Sequence, residues 1–173
     1  MSHLESLIAE YLDWQGYIVK RNTKVGKRAH GGWEMELDLV GYQPKSNSQE
    51  EIQKEAQLVH YEPSIDALSW EKRKARYKKK FEAGRKYIFK DIFPWLPRST
   101  PLKQIAVFVS HPKGRDTLAG GTIISIDEFM AEVRAKVVAR GVMASNAVPE
   151  QYPLLRTIQL THAGYHKAIE RTG

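Results

Sequence analysis

The chain contains no cysteine, which excludes a disulfide framework, a thiolate metal site and a cysteine nucleophile. No apolar run approaches the roughly 20 residues that a membrane helix needs, and the first residues carry acids rather than a basic-then-apolar leader. The expectation is a soluble, cytoplasmic protein with no membrane partner. Serine-hydrolase chemistry lacks its Gly-x-Ser-x-Gly elbow. The loop from Ser110 to Gly121 has glycines at 114, 120 and 121 but no Gly-Lys-Ser/Thr, so it reads as turn chemistry and not as a phosphate-binding loop. His162 and His166 are spaced i, i+4, but Ala163 stands where a zinc protease needs glutamate, and the pair reads as surface residues.

Acids are also scarce where bases crowd. Between Trp70 and Lys90 lie Lys72, Arg73, Lys74, Arg76, Lys78, Lys79, Lys80, Arg85, Lys86 and Lys90 against Glu71 and Glu82, a local +8. The whole chain carries +7, leaving −1 for the rest (7 − 8). Trp70, Tyr77, Phe81 and Ile88 form one apolar stripe at helical spacing, with basic residues around the remaining circumference. A solvated lysine-rich face is the plainer reading. Like charges at this density repel along a helix, however, and a phosphate backbone relieves the repulsion. Lys72, Arg73, Arg76 and Lys79 are therefore the candidate nucleic-acid contacts, to DNA or RNA.

At 173 residues and 42% hydrophobic content the chain suits one domain, with a core over about 4–141 and a C-terminal extension over 142–173. Leu4, Leu7, Ile8, Tyr11 and Leu12 predict an amphipathic helix ended by Gly16. A strand around Tyr17 to Lys20, a turn at Gly31-Gly32 and a strand over 33–42 follow. Residues 43 to 56 are polar and read as a loop or hairpin extension. Ile105 to Val109 suits a buried central strand, and Thr122 to Ile126 another. Ser125 or Asp127 can cap a helix that carries Phe129, Met130, Val133 and Val137 and ends at Gly141. The order is α/β.

Two short apolar runs carry carboxylates. In the first, two-residue alternation puts Glu34, Glu36 and Asp38 on one face and Met35, Leu37 and Leu39 on the other. Three acids on one face call for a cation, and a hard divalent ion held by carboxylate oxygens supplies one. A wet outer face is the plainer alternative. The second run, Leu58-Val59-His60-Tyr61-Glu62, ends in an acid at the carboxyl end of a strand, where open sheets place their ligands. His60 shares a face with Glu62, either as its partner or merely packed.

Glu5 with Tyr11-Leu12 and Gly16-Tyr17, then Met35-Glu36-Leu37-Asp38-Leu39-Val40, then a strand ending in Glu62, resembles the PD-(D/E)XK nuclease superfamily in its resolvase-like and Mrr-like branch. The likeness covers roughly residues 4 to 110. It implies a restriction-endonuclease-like three-layer core, a central mixed β-sheet flanked by helices, and metal-dependent hydrolysis of phosphodiester bonds in DNA. Asp38 and Glu62 match the metal-binding acids, Glu5 the helix glutamate and Glu36 the accompanying acid, with Mg2+ or Mn2+ as the implied metal. A homodimer is compatible with this reading. The departure is Ser64, which stands where the family carries its catalytic lysine. Arg73 and Lys80 border the apolar stripe of the basic helix and are best placed to supply the missing charge; Lys80 is the first choice and Lys72 the alternative if the helix begins close to Ser64. Two rivals remain: a nucleic-acid-binding module on the same fold with impaired catalysis, and a small interaction protein that binds an acidic partner through the basic helix.

Overall fold

A computed structural model describes residues 2–44, 58–66, 68–138 and 147–162. Helix α1 (His3–Trp14) starts at Ser2, whose hydroxyl accepts from the Glu5 amide at 3.1 Å. It stops at Gly16, whose φ of +88° few side chains tolerate. Three strands follow, β1 (Ile18–Lys27), β2 (Trp33–Tyr42) and β3 (Leu58–Ser64), each antiparallel to the one before. Helix α2 (Trp70–Tyr87) crosses over to β4 (Leu102–Phe108), which lies parallel to β3, as parallel pairing requires a long connection. After α2 the chain makes a π-helical turn at Ile88–Ile92. Strands β5 (Thr117–Leu118) and β6 (Gly121–Ser125), then helices α3 (Ile126–Val138) and α4 (Pro153–Leu160), complete the described elements.

The result is α/β: a six-stranded mixed sheet, order β1-β2-β3-β4-β6-β5, flanked by helices. One apolar cluster joins α1, α3 and α4 to Leu39, Val59, Tyr61, Ile105 and Val107. Two others join α2 and the π-helical turn to Val25, Leu37, Val40 and Leu58, and to Ala106, Phe108 and Ile123. Strand residues thus divide by face, with α2 alone opposite the other three helices. Of the stripe expected on this helix, Tyr77 and Phe81 on α2 and Ile88 in the π-helical turn are within about one percent of full burial, while Trp70 is half-buried. Among the described residues no helix is long and apolar enough to cross a membrane.

Several expectations need correction. Strand β1 runs seven residues past Lys20 to Lys27. Its second half is polar and buries only Val25 and Gly26, so it gives no apolar signal. Alternation along β2 breaks. Leu37 packs in the α2 cluster and Leu39 in the α1 cluster, whereas a regular strand would send both to one side. By register the break lies opposite Asn22, which has a φ of +46°. Glu34, Glu36 and Asp38 consequently do not act as one acidic face. Ser125, not Asp127, caps α3: its hydroxyl accepts from the Glu128 amide at 3.1 Å while Glu128 Oε2 accepts from the Ser125 amide at 2.6 Å. Gly141, His166 and residues 45–57 lie outside the described residues.

Candidate active site

Strand β3 holds the third place among six, so its side chains are covered on both faces, and His60 and Glu62 are fully buried. A carboxylate without water needs donors on every side. Glu62 Oε1 accepts from the Asp38 amide at 3.1 Å and from His60 Nε2 at 2.7 Å. Its Oε2 accepts from Lys80 Nζ. The same ammonium donates to Asp38 Oδ1 at 2.8 Å, so one cation from α2 bridges two acids from adjacent strands. Lys80 reaches them because it borders the buried stripe, one residue before Phe81 and three after Tyr77.

Behind Glu62 runs a chain of committed donors. Gln104 Nε2 donates to Phe81 O at 2.9 Å and faces His60 Nδ1 at 3.0 Å, while its Oε1 accepts from Arg85 Nη1 at 2.6 Å. Arg85 Nη1 also donates to Ala119 O at 3.1 Å. With its oxygen taken by Arg85, the Gln104 amide offers His60 a hydrogen, so Nδ1 holds a lone pair and the ring hydrogen sits on Nε2, aimed at Glu62. Of the two roles open to His60, the structure shows the partner. Gly84 makes the close approach possible: a Cβ there would lie 2.6 Å from His60 Nδ1 and 2.7 Å from Gln104 Nε2.

The two acids divide their charge unequally. Burial and the neighbouring Glu62 charge push Asp38 up to about 7, although Lys80 opposes the shift. Burial also works against ionised Glu62, but the His60 hydrogen bond and the Lys80 ammonium outweigh it and hold the carboxyl below its usual range. A shared proton therefore resides on Asp38. Lys80 loses by burial and gains more from the two carboxylates, so its pKa is raised and it stays an ammonium.

Access to this trio is narrow. The Asp38 and Lys80 side chains are 16% and 10% exposed, and Glu62 not at all. A groove of about 370 Å³ lined by Met35, Ala75, Arg76, Lys79 and Lys80 runs between β2 and α2 and meets the trio at Lys80. A larger cavity of about 680 Å³, lined by Tyr11, Trp14, Tyr17, Tyr61 and Glu132 among others, lies on the opposite face and meets none of the three.

The remaining candidates are placed as follows. Glu5 is half-buried in the first turn of α1 and Glu36 is exposed on β2; neither hydrogen-bonds or ion-pairs with Asp38, Glu62 or Lys80. Among the described residues no three His, Cys, Asp or Glu side chains gather as a metal-ligating group. Lys72 and Lys79 are exposed on α2, and Arg76, also exposed, pairs with Asp66 at 2.9 Å. Arg73 is not available for phosphate: it donates to Ser110 O at 3.1 Å and Asp66 O at 2.7 Å, and stacks on Phe108 at 4.6 Å. Ser64 Oγ accepts from the Asp66 amide at 3.3 Å, a turn contact. Asp66, Arg85 and Gln104 carry no motif, and only the fold brings them to the site. No family model matches the chain, and neither a curated protein nor a solved structure matches it.

Proposed function

We propose that this chain is a metal-dependent nuclease that hydrolyses phosphodiester bonds in DNA, on a restriction-endonuclease-like fold of the PD-(D/E)XK kind. The observation that carries the reading is Lys80 Nζ in contact with Asp38 and Glu62, a lysine charge supplied from α2 where the resemblance lacks it at Ser64. The element order α1-β1-β2-β3-α2-β4, with an acid on β2 and another on β3, supports the same reading.

Two carboxylates converging on one point fit Mg2+ or Mn2+, since Mg2+ is commonly held by one or two carboxylates with water and substrate phosphate completing its shell. When bound, the metal supplies Lewis-acid polarisation of the phosphate and acidifies a water. The chain's own residues do the rest. Asp38 and Glu62 would hold the cation, Asp38 as its ionised carboxylate. His60 Nε2–H and the Asp38 amide fix the Glu62 carboxylate so that Oε2 faces the groove side with Lys80. Lys80, whose ammonium sits between the two carboxylates, would stabilise the charge that grows on a phosphate brought to them. Lys72, Arg76 and Lys79 grip the backbone; such contacts position substrate without reading sequence. Glu5 and Glu36 have no part in this set.

The test is incubation with labelled DNA as duplex, junction, flap and single strand, with Mg2+, Mn2+ or chelator. Cleavage that needs metal supports the nuclease. Tight, salt-sensitive binding without cleavage would support the impaired module, for which Ser64 in its turn contact is the favouring observation.

A further inference from the structure

The bases of α2 are not the whole of the positive surface. From Gln15 to Trp33 the chain has Lys20, Arg21, Lys24, Lys27 and Arg28 and not one acid. The sum of −1 outside α2 conceals this, because acids elsewhere cancel it. All five side chains are exposed, and Lys20, Lys24 and Lys27 form no ion pair among the described residues.

Their placement is specific. Strand β1 is the edge of the sheet, and β2 pairs with β3 only over Leu39–Tyr42, while the β1–β2 ladder runs on to Lys27 opposite Trp33. The stretch from Thr23 to Lys27 with Leu37 to Trp33 is thus a two-stranded ribbon that leaves the sheet at Asp38. Five residues per strand at about 3.4 Å each carry it roughly 17 Å beyond the β2–β3 pairing. Its root is fixed. Val25 and Leu37 are fully buried, and the Gly26 amide donates to Asp91 Oδ2 at 2.7 Å. Tyr87 holds Glu34, and Gly26, at φ +69°, has no room for a Cβ beside Tyr87. Its tip is free: a Cβ at Gly31 or Gly32 would meet nothing within 4 Å, and Trp33 is 44% exposed. Of the ribbon's two acids, Glu34 is taken by Tyr87 and Lys86, and Glu36 lies opposite Lys24.

We propose that this ribbon is a second nucleic-acid contact and that its ligand is duplex DNA. The inference rests on the nuclease reading and adds its substrate class. The groove to Lys80 lies between β2 and α2, so a phosphate at the carboxylates has the ribbon on one side and Arg76 and Lys79 on the other. A two-stranded β-ribbon fits the B-DNA major groove, about 12 Å wide. The deep, narrow major groove of A-form RNA does not admit it. Lysines on an edge strand also discourage pairing with another chain, which accounts for Lys20 and Lys24. It does not account for Lys27, at the turn where the ladder ends, or for the exposed side chain of Arg28, whose charge also acts on Glu34; a groove or backbone contact accounts for both.

The test measures binding of fluorescent duplex DNA, duplex RNA and single-stranded DNA by anisotropy across a salt series, with chelator so that nothing is cut. Three proteins are compared: the parent, the triple variant Lys24→Ala/Lys27→Ala/Arg28→Ala, and the α2 variant Lys72→Ala/Arg76→Ala/Lys79→Ala. The parent should prefer duplex DNA. The ribbon variant should bind it at least tenfold more weakly, with the slope of log affinity against log salt reduced by up to about 0.9 for each lost phosphate contact. Its single-strand affinity should change much less. A ribbon variant with the parent's slope on duplex DNA, while the α2 variant loses slope, overturns the ribbon and leaves the nuclease reading intact. Equal losses on duplex and single strand, or a preference for duplex RNA, overturn the substrate class. A parent that binds no nucleic acid overturns both readings at once.

Discussion

The ammonium of Lys80 bridges Asp38 and Glu62 in a mostly dry pocket. Removing one partner of a buried pair commonly costs about 3–5 kcal/mol, because the charge left behind is uncompensated. Lys80→Ala should therefore lower stability to urea at pH 8 and recover part of it toward pH 6, where Asp38 takes a proton. Turnover should fall on the order of 10² to 10³ while duplex binding changes little. Asp38 gives a second residue-scale prediction. Its folded pKa of about 7 exceeds the ordinary value near 4, so its protonated form stabilises the fold at low pH, and that contribution is lost as pH rises from about 4 through 7. Metal-free Asp38→Asn should lose less stability than the parent across that window and should not cut DNA at any pH. Parent cleavage, which needs the carboxylate ionised, should rise through the same window; at low metal concentration its midpoint should lie close to 7. Glu62 acts in the opposite sense, losing its contribution only as pH falls below the ordinary carboxylate range.

Helix α2 brings together what these predictions depend on, since one face is buried, its border supplies Lys80 and its outer side is cationic. Gly84 sets its distance from the sheet. Gly84→Ala puts a methyl within 2.7 Å of His60 and Gln104, and overpacking of this kind costs about 1–3 kcal/mol. Because the relief is a shift of α2, cleavage should fall with stability, and His60→Ala in the same chain should restore part of the stability without the cleavage. Arg73 and Lys79 separate structure from grip on one helix. Arg73→Ala should destabilise, through its carbonyl and Phe108 contacts, and leave the salt slope of DNA binding unchanged; Lys79→Ala should do the reverse. The helix was legible in sequence because its stripe has helical period, and the same period placed Lys80 beside that stripe. Strand β1 beyond Lys20 was not, because Val25 is the one buried apolar side chain on that stretch, which shows no apolar alternation. The β2 break at Asp38 was invisible for a related reason: alternation assumes a regular strand, and a left-handed Asn22 across the ladder makes it irregular there.

At the scale of the whole molecule, the site joins β2, β3, α2 and β4, and its legibility follows from distance along the chain. Asp38 and Glu62 could be read because each sits in a short local pattern. Gln104 and Arg85 could not, since they reach His60 only once α2 lies over β4. The sheet places both acids where β2 parts from β3, so the ribbon, the basic helix and the narrow opening over Asp38 all meet at one point. On the nuclease reading proposed above, a cation held there by two carboxylates would supply the Lewis acid for phosphodiester hydrolysis. The measurement that bears on this most directly is a cleavage assay on labelled duplex, junction, flap and single-stranded DNA at pH 8. It compares the parent with Asp38→Asn and Lys80→Ala, all three shown to be folded, in the presence of Mg2+, Mn2+ or chelator. The account predicts metal-dependent cutting by the parent, none by Asp38→Asn, and turnover reduced on the order of 10² to 10³ in Lys80→Ala. A parent that binds DNA and cuts none of the four forms with either metal, or an Asp38→Asn variant that cuts as well as the parent, would contradict it.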